Sequence, residues 1–388
     1  MTIRLQDKKA DLLERVVDRV HDRLGAPQAD RAEAFLRHYY RAVPPSDLLE
    51  RDPLDLYGAA LAHFRFAEQR EAGQAKVRVY NPQIEQHGWQ STHTAIEVVT
   101  DDMPFLVDSV SMALNRQGLL IHLTIHPVLA VRRDANGDLE AILDRPEGDG
   151  GAVRFESIMH LEVDRQSDPE RLEAIRAGLE QALGDVRAAV EDWRTMLDRV
   201  EAALADLEGG AGAIDAAELA EVAAFLRWIA DNHFTFLGYG CYDLRRDKAG
   251  DQLRRVEGSA LGLLRRQESG SQVSRSFAAL PPEVRRQARA PTPLIITKAN
   301  ARSTVHRPVY LDYVGVKRFD SKGKVEGEHR FLGLFTSAAY NRNPREIPLL
   351  RRKVERIIAR AGLAPASHSG KALANILETY PRDELFQT

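Results

Sequence analysis

Apolar residues recur at helical spacing from residue 8 to about 70. Leu12, Leu13, Val16, Val17 and Val20 form one stripe, and Ala34, Phe35 and Tyr39 form a second. Pro44, Pro45 and Ser46 interrupt the pattern and supply a turn plus a helix cap, after which a third helix is expected over 54–66. A run of such short helices reads as a cap or docking arm.

From Lys76 the period becomes two. Residues 76–80 are a candidate strand ended by Asn81-Pro82, and the β-branched run TAIEVVT (94–100) is the next. Asp101-Asp102-Met103-Pro104 then reads as a helix start, with Asp as cap and Pro in the first turn. That helix is expected over 105–116, burying Leu106, Val110 and Leu114, and stopping at Gly118. Two extended pieces follow over 119–133, around His126-Pro127, and Asp134-Ala135-Asn136-Gly137 offers a hairpin tip. Residues 147–151 read as a flexible loop, 157–163 as a strand, and Asp168-Pro169-Glu170 opens a helix to about 183. Strand, helix, strand, strand, helix is the skeleton of a ferredoxin-like α/β sandwich.

A long helix is expected over 185–208, with Val186, Val190, Trp193, Met196, Leu197 and Val200 on its apolar side. Gly209-Gly210-Ala211-Gly212 is the clearest linker. Beyond it a capped helix (215–230) leads into a mostly β region with strands at 235–244, 293–298, 309–319 and 329–337. Asp320-Ser321-Lys322-Gly323 makes the last turn, helices at 281–288 and 344–361 flank the sheet, and a short helix ends near Tyr380.

Length and composition narrow the class. At about 150 residues per domain, 388 residues make two to three domains, and 44% hydrophobic with 29% charged residues is an ordinary soluble balance. A net charge of -3 argues against a dominant nucleic-acid footprint. No apolar run reaches the roughly 18–20 residues of a membrane span, and the charged N-terminus has no leader-like apolar region. The lone Cys241 makes no internal disulfide and anchors no cysteine-rich metal site. A cytoplasmic protein that binds neither nucleic acid nor membrane is the expectation.

The usual catalytic fingerprints fail. Gly238-Tyr239-Gly240 has Asp243 where a dinucleotide loop needs its third glycine, and it lies inside a strand pattern. Before Ser369-Gly370-Lys371-Ala372, Pro365 stands at the first P-loop glycine, and Ala372 replaces the magnesium-binding hydroxyl. Ser259 sits one place too early for a nucleophile elbow. His122 and His126 share a strand face, and with His160 in a neighbouring strand they offer a zinc reading against that of a merely polar face. Arg285, Arg286 and Arg289, and Arg351, Arg352, Lys353 and Arg356, form basic helix faces whose default role is solvation. The segment 100–109 (TDDMPFLVDS) stands out. A strand feeding a helix start presents free N–H groups and a dipole suited to a carboxylate, and Asp101 and Asp102 suit an amino group. An amino-acid site and simple helix capping are the two readings of this loop.

The blocks STHTAIEVVTDDMPFLVDSV (91–110) and IHLTIHPVLAVRRD (121–134) resemble the N-terminal part of the large-type bacterial NAD-dependent glutamate dehydrogenases. DNHFTFLGY (231–239), SALGLLRR (259–266), PVYLDYVGVKRFD (308–320) and EHRFLGLFTSAAYNRNPREIPLLRRKVERI (328–357) continue the resemblance in the same order. It implies an α+β chain: a helical arm (1–75), a ferredoxin-like ACT-type βαββαβ domain with its long connecting helix (76–208), a linker (209–214), a PAS-like antiparallel-sheet domain (215–343) and C-terminal helices (344–388). It also implies that catalytic residues and the NAD cofactor belong to other domains of the same polypeptide, with none in this segment, and that the parent is a homo-oligomer. In ACT domains amino acids bind at the strand-to-helix loop, which here is Asp101, Asp102, Met103, Pro104 and Phe105. Phe105 departs from the family's glycine after the proline, and its ring would fill or cover part of the pocket. Three roles compete: a sensor in which an amino-acid effector biases the catalytic domain, a subunit-interaction scaffold, and a stand-alone zinc enzyme built on His122, His126 and His160.

Overall fold

The computed structural model describes residues 2–144, 153–210, 214–247, 250–266, 273–279, 281, 285 and 288–387. The loop expected at 147–151, part of the linker (211–213) and most of the helix expected at 281–288, Arg286 included, lie outside them. The chain forms two compact units, Met1–Val186 and Arg187–Thr388. Each is a mixture of helices with one antiparallel sheet.

Unit one begins with the arm: α1 (Thr2–Arg23), α2 (Ala26–Arg41), α3 (Pro45–Leu49) and α4 (Pro53–Ala67). Asp52 caps α4, accepting a hydrogen bond from the Leu54 N–H, with Pro53 at the first helical position. The cap of α3 is Pro44 rather than Ser46, whose hydroxyl instead bonds the Asp47 carboxylate. Next come β1 (Lys76–Tyr80), α5 (Ile84–His87), β2 (Thr94–Asp101), α6 (Leu106–Arg116), β3 (Ile121–Ile125), β4 (Val128–Arg133), β5 (Leu139–Leu143), β6 (Arg154–Val163) and α7 (Pro169–Glu191). The strand order is β1-β2-β6-β4-β5, with β3 also paired to β6, all antiparallel. The strand beside β2 on its outer side is thus β1, which precedes it, and α7 leads to another helix rather than to a strand.

Both faces of this sheet are buried, which is why β2 reads as an unbroken β-branched run instead of an alternating one. On one face Val99, Leu123, Ile125, Leu129, Val131 and Ile158 join a single core with Leu12, Val16, Phe35, Leu36 and Phe64 of the arm. The arm is therefore the second layer of this domain. The alternate residues Ile96, Val98, Met159 and Leu161, on the other face, are also buried, and so are Val110 and Leu114 of α6 and Ile175 and Leu179 of α7. The expected tip between β4 and β5 forms, with Gly137 at φ 86°. A Cβ there would lie 2.3 Å from the Arg70 carbonyl, so glycine is required.

Unit two carries α8 (Trp193–Gly209), α9 (Ala216–Trp228), β7 (Phe234–Asp247), β8 (Gly250–Arg255), β9 (Leu261–Gly262), α10 (Leu263–Arg266), α11 (Arg275–Ala278), β10 (Leu294–Arg302), β11 (Tyr310–Phe319) and β12 (Val325–Phe335). Its sheet runs β10-β11-β12-β7-β8, with β9 on β7. Asp215 caps α9 as expected. The chain then turns into β7 through a single wide helical turn, where Asn232 takes φ 58°. One core joins Met196, Val200 and Leu204 of α8 and Phe225 of α9 to Ile296, Val314, Phe331 and Phe335 of the sheet.

The helix expected at 344–361 is broken. A single turn, Pro344–Glu346, is followed by Leu349 at φ 70°, and the regular helix spans only Leu350–Arg360. Shorter helices His368–Thr379 and Arg382–Phe386 end the described chain, with Leu385 and Phe386 in the main core of the unit.

Candidate functional site

The loop at 101–105 leaves the end of β2, where the Asp102 N–H donates to the Phe155 carbonyl at 2.8 Å. The chain then turns, and α6 starts at Leu106, one residue later than expected. The residue before it, Phe105, takes φ 73° and caps the helix with no side-chain bond, so neither aspartate is the N-cap. The left-handed conformation at Phe105 is one that glycine adopts freely and a phenylalanine adopts at a cost.

Asp101 is held from within. Its Oδ1 accepts from Arg70 Nη2 at 2.6 Å, and Arg70 is fully buried. Arg70 also donates to Glu156 Oε1 from Nε at 3.1 Å and from Nη2 at 2.7 Å. Glu156 in turn accepts from Arg133 Nε at 2.8 Å and Nη2 at 2.7 Å. Burial pushes the Glu156 carboxyl up, but the hydrogen bonds and charges of Arg133 and Arg70 outweigh it and hold the group below its ordinary value. The register of β2 against β6 sets Asp101 opposite Glu156, which is how one guanidinium reaches both. Asp102 and Pro104 are exposed, while Met103 and Phe105 are half-buried. Of the five expected loop residues, Asp101 is thus tied to the buried Arg70, and the other four line the turn.

The three histidines of the zinc reading are not brought together. His122 is exposed and bonds Asp164 at 2.7 Å, with its ring against His93 at 4.3 Å. His126 bonds the Ser157 hydroxyl at 2.7 Å. His160 is buried, and in the β3–β6 register it lies opposite Ile125. His160 therefore shares the buried face of Ile125 and Leu123, whereas His122 sits at a bulge in β3 and turns to the exposed rim. What His160 does meet is His63 of α4 and Glu97 of β2, all three buried, each offering a donor atom within 4.8 Å of the others. Neither His63 nor Glu97 was singled out from the sequence. The available clue was Glu97 itself, a carboxylate in the middle of TAIEVVT, because a buried charge needs partners.

In unit two, Gly238 and Gly240 lie inside β7, and Asp243 pairs with Arg254 of β8, so these residues do not fit the pyrophosphate of NAD. Burial pushes the half-buried Cys241 thiol up, away from reactivity. The basic residues of Leu350–Arg360 are largely engaged. Arg351 grips Glu221, Arg352 donates to the Ala217 carbonyl, and Lys353 donates to the Leu385 and Gln387 carbonyls. Among the described residues no helix is long and apolar enough to cross a membrane.

The two antiparallel sheets and their helices make an α+β chain. Residues 35–179 match the family described as glutamate dehydrogenase, ACT1 domain, a span that takes in the end of α2 and all of α3 and α4. Residues 347–388 match glutamate dehydrogenase, helical motif 1. The chain is 42% identical over 383 residues to an NAD-specific glutamate dehydrogenase of Halomonas elongata, covering 98% of this chain and 24% of that protein. It is 40% identical over 381 residues to that of Pseudomonas aeruginosa, covering 98% and 23%. Against that of Mycobacterium tuberculosis it is 29% identical over 326 residues, covering 84% and 18%. The chain belongs to the glutamate dehydrogenase family, and it spans about a quarter of the length of the curated relatives it matches most fully.

Proposed function

We propose that this chain is a non-catalytic N-terminal regulatory and assembly segment of a large NAD-dependent glutamate dehydrogenase. The parent reaction, oxidative deamination of L-glutamate to 2-oxoglutarate and ammonium with NAD, is assigned to other domains of the same polypeptide. The observation that carries this reading is the extent of the similarity: nearly all of this chain aligns, yet it accounts for only a quarter of its relatives. We read unit one as a ferredoxin-like ACT domain whose fourth strand is β1, and unit two as a PAS-like domain. The antiparallel sheets and the ACT1 match support these assignments. The parent is read as a cytoplasmic homo-oligomer.

Within this reading, Asp102, Met103, Pro104 and Phe105 form the amino-acid-sensing turn. Thermal unfolding of the 388-residue chain, screened against the common amino acids and 2-oxoglutarate, tests it. A ligand at 100 times its dissociation constant stabilises its domain by about 2.7 kcal/mol. A shift with one amino acid, lost in a folded Asp102→Ala variant, supports the sensor. A flat response to every compound favours the second reading, a structural scaffold. The internal engagement of Asp101 by Arg70 and the burial of both sheet faces speak for that alternative.

A further inference from the structure

We propose that His63, Glu97 and His160 form a divalent-metal site, best suited to zinc, in the core between α4 and the sheet. The site is separate from the turn at 101–105, and the proposal does not rest on the regulatory reading.

Three independent features converge there. First, the donors come from three elements, α4, β2 and β6, and meet with ligand atoms within 4.8 Å of one another. The β2–β6 register places Glu97 directly opposite His160. Zinc bonds of about 2.0–2.1 Å in a tetrahedral set would draw the donors inward by roughly 1 Å.

Second, the nitrogens turned into this space are unsatisfied while the outer ones are engaged. His63 Nε2 and His160 Nδ1 are both buried without a hydrogen-bond partner. The backbone of Val98 approaches the His63 ring, yet Nε2 meets no acceptor at hydrogen-bonding geometry. On the outer side, His63 Nδ1 lies 3.2 Å from the Tyr39 hydroxyl, and His160 Nε2 lies 3.5 Å from Glu162 Oε1. Glu97 accepts from Tyr80 Oη at 2.8 Å and from Arg78. Metal-bound histidines characteristically donate their second N–H to a carboxylate or another oxygen in this way, which fixes ring and tautomer. Buried polar atoms are as a rule hydrogen-bonded, so two unmet ring nitrogens facing one space call for an occupant.

Third, the charges match. The carboxylates of Glu97 and Glu162 are buried to 0% and 1% exposure, whereas their partners Arg78 and Arg51 remain 34% and 32% exposed. Each carboxylate is balanced by one guanidinium, so the ion pairs leave no excess positive charge at the cluster to repel a cation. Three protein ligands leave the fourth position of a tetrahedral set to water or hydroxide.

The test uses the full 388-residue chain purified without a metal-affinity tag. Zinc is removed by a chelator and titrated back, and metal content is read by mass spectrometry. One equivalent bound, with a lower melting temperature in the chelated protein, is expected. His63→Gln and His160→Gln should each lose the metal. Tyr39→Phe, which removes only the outer hydroxyl, should weaken zinc binding about 10–100-fold while leaving the chain folded. Cobalt(II) added to the stripped wild-type protein should give the intense visible bands of a four-coordinate site. A wild-type chain that stays substoichiometric in excess zinc and gives no such cobalt spectrum overturns the proposal. Stoichiometric zinc that survives in both histidine variants overturns it as well.

Discussion

Arg70 and Glu156 meet as a fully buried ion pair, Nη2 2.7 Å from Oε1, with neither side chain reaching solvent. The pair ties the loop after α4 to β6, and through its second bond Arg70 also reaches Asp101 at the end of β2. Removing one partner leaves a buried charge unmatched, which typically costs about 3–5 kcal/mol. Arg70→Ala should therefore lower the stability of unit one by about that amount in urea unfolding. A loss below about 1 kcal/mol would mean that Arg133 alone neutralises Glu156, and the description of a shared cluster would be wrong.

The same cluster sets an acid limit. Glu156 is held below its ordinary value of 4.5 because Arg133 and Arg70 outweigh the opposing effect of burial. The folded state thus binds its proton less readily than the unfolded chain does. The contribution is present in full above the ordinary value, and it fades as the pH falls from there toward the depressed one. Wild-type stability should fall on acidification through this window. Glu156→Gln, less stable at pH 7, should show a shallower acid decline, and parallel curves would refute the assignment.

Phe105 offers a cleaner comparison at the turn. At φ 73° a glycine is unstrained, whereas any residue with a Cβ incurs about 1–2 kcal/mol. Replacing Phe105 also removes a half-buried ring, so the wild type is a poor reference. Phe105→Gly and Phe105→Ala both lose that ring, and they differ in backbone strain. The glycine variant should be the more stable by about 1 kcal/mol even after the entropy of the unfolded chain is counted. Equal stabilities would show that the turn relaxes to a negative φ once the ring is gone.

The parts of the fold carried by local pattern were legible in the sequence. TAIEVVT announced β2, Asp215 announced the start of α9, and Asn136-Gly137 announced the tip between β4 and β5. Phe105 was visible as a residue where the family has glycine, and the backbone there has a glycine-like φ. What escaped was long-range. That the arm is the second layer of the sheet follows from packing between Phe35 or Phe64 and Ile158, residues far apart in the chain. His122 and His160 looked like partners because both stand in strands, but β3 bulges at His122, whose ring goes to Asp164 at the exposed rim, and only the paired structure shows it. His63 sits on the mostly apolar helix α4 with no local mark of chemistry, and topology alone brings it to Glu97 and His160. The break at Leu349 was likewise hidden, since a leucine gives no warning of a left-handed turn.

The end of the described chain is the remaining test, and it bears on where unit two stops. Phe386 is 3% exposed. Its ring stacks on Phe335 with centroids 4.0 Å apart and planes 7° apart, and it lies 6.0 Å from Trp228. Around it, Asp383 accepts from Tyr340 Oη at 2.6 Å and pairs with Lys298 at 2.9 Å, while Lys353 donates to the Leu385 and Gln387 carbonyls. These contacts make 382–387 a closing element of the β7–β12 core. Phe386→Ala should then cost about 3–5 kcal/mol, the range for deleting a large aromatic from a packed interior. Unfolding monitored by Trp228 fluorescence in a variant lacking Trp89 and Trp193 reports on unit two. A change within about 0.5 kcal/mol, as for an ordinary surface substitution, would show that the segment peels away in solution. The core would then end with the helix Leu350–Arg360.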